Sequence, residues 1–130
     1  MKPICVINSF GDKIWRLNGL RHREDGPAVK YANGDKEWFL NGKCHREDGP
    51  AVEYADGYKE WYLNGLLHRE DGPASEDEMG NFWFINGEPH REDGPAGDWY
   101  NKDKVWFFHG QKIDCKNNEE FLEIIKNIIK

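Results

Sequence analysis

Short runs of alternating apolar and polar residues, each closed by a glycine-bearing pair, dominate the chain. In Ala28-Val29-Lys30-Tyr31-Ala32 the alternation puts Val29 and Tyr31 on one face of a strand. Asn33-Gly34 turns the chain, and Lys36-Glu37-Trp38-Phe39-Leu40 reads as a second strand. Asn41-Gly42 then supplies the strongest short-range hairpin signal, because a type I′ turn needs positive φ at both central residues. Lys43-Cys44-His45-Arg46 returns antiparallel, and Glu47-Asp48-Gly49-Pro50 makes the next turn, where Pro50 has no N–H to give a ladder. A two-residue loop fixes the register: Leu40 faces Lys43, Phe39 faces Cys44, Trp38 faces His45 and Glu37 faces Arg46. The same offset sets Trp15 opposite His22, Trp61 opposite His68, Trp83 opposite His90 and Glu60 opposite Arg69. Cross-strand aromatic and opposite-charge pairs contribute roughly 0.2–1 kcal/mol each. Recurring His and Arg therefore have a structural reason to be there.

The pattern keeps a beat. His-Arg-Glu-Asp-Gly-Pro-Ala begins at His22, His45, His68 and His90, at intervals of 23, 23 and 22 residues. Tryptophan follows the same spacing at Trp15, Trp38, Trp61, Trp83 and Trp106. A fixed period of this length marks an array whose units bury their apolar sides against their neighbours. The expected organisation is a single repeat domain over 1–130. A cap strand occupies 1–14, about five hairpin units of ~23 residues occupy 15–114, and a helix occupies 117–130. Trp15, Trp38, Trp61, Trp83 and Trp106, with His22/Arg23, His45/Arg46, His68/Arg69 and His90/Arg91, are the structural repeat positions.

Departures from the beat are informative. The third unit reads Ala74-Ser75-Glu76-Asp77-Glu78-Met79-Gly80, losing the Val-x-Tyr of its predecessors and clustering acids. The fifth has Trp106-Phe107-Phe108-His109-Gly110, then Ile113-Asp114 in place of His-Arg. In the tail, Phe121/Ile125/Ile128 and Leu122/Ile125/Ile129 fall on helical spacing. Asn117 and Glu120 suit the helix start, and Lys126 and Lys130 suit its end. This helix is expected to close the last hairpin's edge or apolar face, or to pair with a second copy.

Composition narrows the class. The chain is 38% hydrophobic and 32% charged, yet holds 6 Trp, 5 Tyr and 7 Phe, too many aromatics for a disordered chain. Aromatic-rich and aliphatic-poor suits a thin sheet, where each ring buries a large area. A net charge of -6 speaks against direct nucleic-acid binding, which uses a basic face. The apolar run at residues 3–7 is too short for a signal peptide or a membrane span. Cys5, Cys44 and Cys115 lie far apart without a Cys-x-x-Cys, so the expectation is a reduced, cytoplasmic protein.

The candidate chemistry is the repeated His-x-Glu-Asp. On a strand His22 and Glu24 share a face, while Asp25 sits in the turn, where it is expected to bond local backbone. No metal or cofactor is read from this. Four near-identical copies on one layer form neither a unique acid–base cluster nor an enclosing pocket, so no enzyme is read either.

Trp-x-Leu-Asn-Gly, with the repeated heptapeptide, resembles MORN-type repeats over about residues 10–114, in the variant form found in bacterial and phage proteins. The standard Tyr-x-Gly-x-Trp is met only in part, by Gly57-Tyr58-Lys59-Glu60-Trp61. The resemblance implies a mainly β fold: an elongated, single-layer antiparallel β-hairpin array, here with a C-terminal amphipathic α-helix. It further implies a scaffold or binding surface instead of a catalyst. Phospholipid binding, known for some members, fits poorly with the acidic balance.

The expected function is a non-enzymatic interaction module binding another protein, as an inhibitor or adaptor. Its expected contacts are Glu76, Asp77 and Glu78 of the acidic segment and the outward aromatics Phe39, Tyr62, Phe84 and Phe107. Two other functions stay open: an acidic nucleic-acid mimic blocking a DNA- or RNA-binding enzyme, and nucleotide sequestration at the Arg–Trp steps.

Overall fold

The computed structural model describes residues 1–129; Lys130, placed above at the helix end, lies outside the described residues. The protein is mainly β, antiparallel and hairpin-built, with one C-terminal helix. Two compact units are described in turn, Met1–Leu66 and Leu67–Lys130.

The first unit contains β1 (Ile4–Ile7), β2 (Lys13–Leu17), β3 (Leu20–Arg21), β4 (Val29–Lys30), β5 (Lys36–Glu37), β6 (Phe39–Leu40), β7 (Lys43–Cys44), β8 (Val52–Glu53), β9 (Lys59–Glu60) and β10 (Tyr62–Leu63). Its main sheet has the order β1-β2-β4-β5-β8-β9, so each repeat adds two short strands. The Asn-Gly hairpins project from it. Phe39 pairs with Cys44 and Leu40 with Lys43, the register a type I′ loop dictates. Asn41 has φ 51° and Gly42 φ 81°, the left-handed pair that turn requires.

The run read as one strand from Lys36 to Leu40 is in fact two strands broken at the tryptophan. Trp38 N–H donates to Ala51 O at 2.7 Å in the main sheet, and Trp38 O accepts from His45 N–H at 3.0 Å in the hairpin. Trp15 does the same with Ala28 and His22. The tryptophan backbone is therefore the pivot between sheet and hairpin. Ala28, Val29, Ala51 and Val52 are buried beside it, small enough for strands to pack closely.

Two expected charge pairs are not formed as the register implied. Glu37 accepts from the Tyr31 hydroxyl at 2.6 Å and lies 3.8 Å from Arg21, not opposite Arg46. Arg46 has left its own hairpin: its N–H donates to Tyr62 O of the next one. Glu60 likewise takes the Tyr54 hydroxyl at 2.9 Å. β11 (Leu66–Leu67) closes the β10 hairpin and carries the chain into the second unit.

The second unit contains β12 (Ser75–Asp77), β13 (Gly80–Phe82), β14 (Phe84–Ile85), β15 (Glu88–Pro89), β16 (Gly97–Trp99), β17 (Lys104–Phe108), β18 (Gln111–Ile113) and α1 (Asn118–Ile128). The segment read as an acidic insert is an ordinary hairpin, with Ser75 paired to Phe82 and Asp77 to Gly80. Gly97 stands where Val29 and Val52 stand in earlier repeats. A Cβ there would lie 2.6 Å from Trp99 Cζ3, so the missing side chain is what admits the Trp99 ring. That ring meets Phe82 edge-on at 5.0 Å.

Helix α1 is capped by Asn117, whose side chain accepts from Glu120 N–H at 2.9 Å. Phe121 and Ile125 are buried against Trp106 and Ile113, and Trp106 Nε1 donates to Asn118 Oδ1 at 2.7 Å. Of the two roles expected for it, α1 thus closes the last hairpin with Phe121 and Ile125. No described helix is long and apolar enough to cross a membrane.

Candidate functional site

The heptapeptide sorts into residues that hold the array and residues that face outward. Arginine holds the turn. Arg23 lies over the Trp15 ring, 3.9 Å from its centroid, while Nε donates to Asp25 Oδ1 (3.0 Å) and Nη1 to Pro27 O (3.2 Å). Arg46 repeats this on Trp38, Asp48 and Pro50 O, and Arg91 on Trp83, Asp93 and Pro95 O. Arg69 makes the same bonds to Asp71 and Pro73 O. Asp25 therefore binds the guanidinium and not the backbone near Gly26, as its turn position had suggested. The motif glycine makes room for that plane: a Cβ at Gly72 would sit 2.7 Å from Arg69 Cζ.

Histidine joins successive hairpins. His22 Nδ1 accepts from Asn41 N–H at 2.9 Å, and His45 Nδ1 from Asn64 N–H at 2.9 Å. In the second unit His68 Nδ1 takes Asn86 N–H at 3.0 Å, and His90 Nδ1 takes His109 N–H at 2.7 Å. An accepting Nδ1 carries no proton, so these are neutral rings with hydrogen on Nε2. The expected backbone pairing holds for Trp15 with His22, Trp38 with His45 and Trp83 with His90, but the group lying on those three indoles is the guanidinium. Two aspartates make further links: Asp12 Oδ1 accepts from Ala32 N–H (2.8 Å) and Asp35 Oδ1 from Ala55 N–H (2.7 Å).

Glutamate behaves differently. Glu24, Glu47, Glu70 and Glu92 stand 3.7, 3.5, 3.8 and 3.6 Å from their histidine Nε2, at or beyond the length of a useful hydrogen bond. Their side chains are 74–84% exposed. Within each unit an open cleft lies between its two motif turns. In the first unit one such cleft, of about 590 Å³, has Glu24 and Asp25 on one lip, Glu47 and Asp48 on the other, and Trp38 and Leu40 in its wall. The second unit has its counterpart between the turns of Arg69 and Arg91, walled by Trp83 and Ile85. At the first turn, Met1, Lys2 and Pro3 take the place of a preceding motif beside Trp15.

The residues picked out by sequence for binding are mostly occupied elsewhere. Phe39, Tyr62, Phe84 and Phe107, expected to be exposed, are half-buried. Arg21 lies over the Phe39 ring at 5.4 Å. Burial, with Glu60 nearby, pushes the Tyr62 hydroxyl up to about 12. Asp77 accepts from Met79 and Gly80 N–H to shape its turn, and Glu76 lies 3.6 Å from Arg69, so of the acidic segment Glu78 is the carboxylate left exposed. Sequence reasoning weighed the motif glutamates as ligands, on their i+2 relation to histidine, and set them aside because their regularity looked architectural.

Among the described residues no three His, Cys, Asp or Glu side chains converge closely enough to hold a metal ion. Comparison with family models, with curated proteins and with solved structures finds no match for this chain. What defines it is therefore its own geometry: a hairpin repeat whose polar motif ties successive hairpins together within each unit and leaves carboxylates at the rim of each cleft.

Proposed function

We propose that this chain is a non-enzymatic, MORN-like interaction module that binds a protein presenting lysine or arginine side chains to these clefts. One observation carries the reading: in a motif whose histidine and arginine are committed to the array, the glutamates project, 74–84% exposed. Carboxylates at the rim with an indole in the wall suit a cation on an aliphatic stem. On the strength of the family resemblance, the module acts as an inhibitor or adaptor in the cytoplasm of a bacterium, encoded by the cell or by a phage.

Charge density favours this over a nucleic-acid mimic. Duplex DNA carries one charge per roughly 1.7 Å of axis. Successive repeats in the first unit add two strands to the sheet, an advance of about 10 Å. Each brings two motif carboxylates and one guanidinium, several-fold too sparse for a phosphate ladder.

The test is charge reversal. A partner captured by the wild-type chain from its native cells should be lost with Glu24→Lys/Glu47→Lys, and its binding should weaken as salt is raised. Equal retention by a folded double variant would remove the clefts from consideration.

A further inference from the structure

Strand β1 is unlike every other strand of the first unit. It stands at the end of the strand order with β2 on one side, and all four of its residues are exposed. Ile4, Val6 and Ile7 are 71%, 57% and 61% exposed. In the second unit the corresponding last hairpin is closed by α1, through Phe121 and Ile125.

The backbone of β1 is equally open. Asn8 N–H reaches back to Asp12 O at 3.0 Å, and Trp15 N–H points the other way, to Ala28 O. Antiparallel ladders alternate between paired and outward residues. With Ile4 opposite Arg16 and Val6 opposite Ile14, those residues share bonds with β2, while Cys5 and Ile7 turn their N–H and C=O groups outward. A row of such groups is a template for another strand.

We propose that this edge pairs antiparallel with the β1 edge of a second copy of the chain, with Val6 on the twofold axis. Three features select a copy of itself. Residues 3–11 hold no charged side chain in a chain of net charge -6, so pairing here brings no like charges face to face across the seam. Both faces of the strand are apolar, Ile4 and Val6 on one and Cys5 and Ile7 on the other, so like meets like about a twofold axis. The register also closes. Centred on Val6, each outward Cys5 pairs with Ile7 of the other copy and every outward donor and acceptor is satisfied. Centred on Cys5, Ile7 would face Pro3, which has no N–H, and its carbonyl would stay unpaired.

A four-residue edge makes a small interface, so the dimer is concentration-dependent. Sedimentation velocity on the full chain should show a species of twice 15.2 kDa that dissociates on dilution. Residues facing each other in the narrow pair of a ladder have Cα atoms about 4.5 Å apart, within disulfide reach. Val6→Cys in a Cys5→Ser background should therefore form a covalent dimer on mild oxidation. Ile7→Pro removes an outward N–H and should abolish the dimer at unchanged thermal stability, with Ile7→Lys as the second variant should the proline disturb folding. A chain that stays at 15.2 kDa at every concentration, or a dimer insensitive to both Ile7 variants, overturns the proposal and leaves the edge to a foreign strand. Neither result bears on the carboxylate clefts.

Discussion

The backbone N–H of Asn64 donates to Nδ1 of His45 at 2.9 Å, joining residues 19 apart in sequence. The donor belongs to a left-handed turn residue, φ 51°, that no strand partner serves on that side. The acceptor belongs to the preceding hairpin. One repeat's histidine thus fixes where the next repeat's turn sits.

Removing that acceptor leaves a turn amide without its partner. His45→Ala is expected to lower stability by about 1–3 kcal/mol, read from urea unfolding. His45 is 12% exposed, so the bond is only weakly screened. An unchanged midpoint with an unchanged slope would mean the bond is incidental.

Arg46→Lys keeps the charge and loses the fork. A lysine cannot cover Trp38 while donating to Asp48 and Pro50 O together, as Arg46 does. The variant should lose about 1–2 kcal/mol, most of what Arg46→Ala loses. If lysine restores full stability, charge alone was responsible and the fork is not needed.

Gly97 and Trp99 form a compensating pair. Restoring the valine of earlier repeats by Gly97→Val should destabilise the second unit, because its Cβ meets the Trp99 ring. Gly97→Val/Trp99→Tyr, which recreates the Val29-Lys30-Tyr31 arrangement, should recover most of the loss. Additive effects in the double-mutant cycle would contradict the pairing.

Stability should fall in mild acid. Burial, then the stacked His109 ring 4.1 Å away, holds His90 below its ordinary 6.5, against the opposing pull of Glu92 and Glu88. The unfolded chain then binds the proton more readily, so stability drops as pH falls through about 6.5 and levels off below the folded value. A protonated Nδ1 also cannot accept the His109 N–H. His90→Gln should flatten this slope; an equal slope in wild type and variant would assign it to other groups.

Much of the fold was legible because Asn-Gly leaves so little choice. Once Asn41 and Gly42 take positive φ, Phe39 must meet Cys44, and it does. Arg46 was misplaced for the opposite reason: its backbone partner, Tyr62 O, belongs to the next hairpin, which no local rule could supply. Phe39 and Tyr62 were read as outward because alternation gives a side chain two faces, yet both are half-buried, Phe39 beneath the Arg21 guanidinium. Trp99 stands on the beat of Tyr31 and Tyr54, but its link to Gly97 lies in the packing of a ring over a missing side chain, which spacing alone does not show. The motif glutamates were weighed and set aside, because whether such a carboxylate projects or bonds inward is decided by packing and not by spacing.

The most direct test of the architecture is the ring-nitrogen spectrum of the motif histidines at neutral pH, with exchange of the amides they hold. His22, His45, His68 and His90 should all show an unprotonated Nδ1 with hydrogen on Nε2, and the amides of Asn41, Asn64, Asn86 and His109 should be protected. Rings protonated at Nδ1, beside amides that exchange freely, would contradict the claim that histidine ties each hairpin to the next.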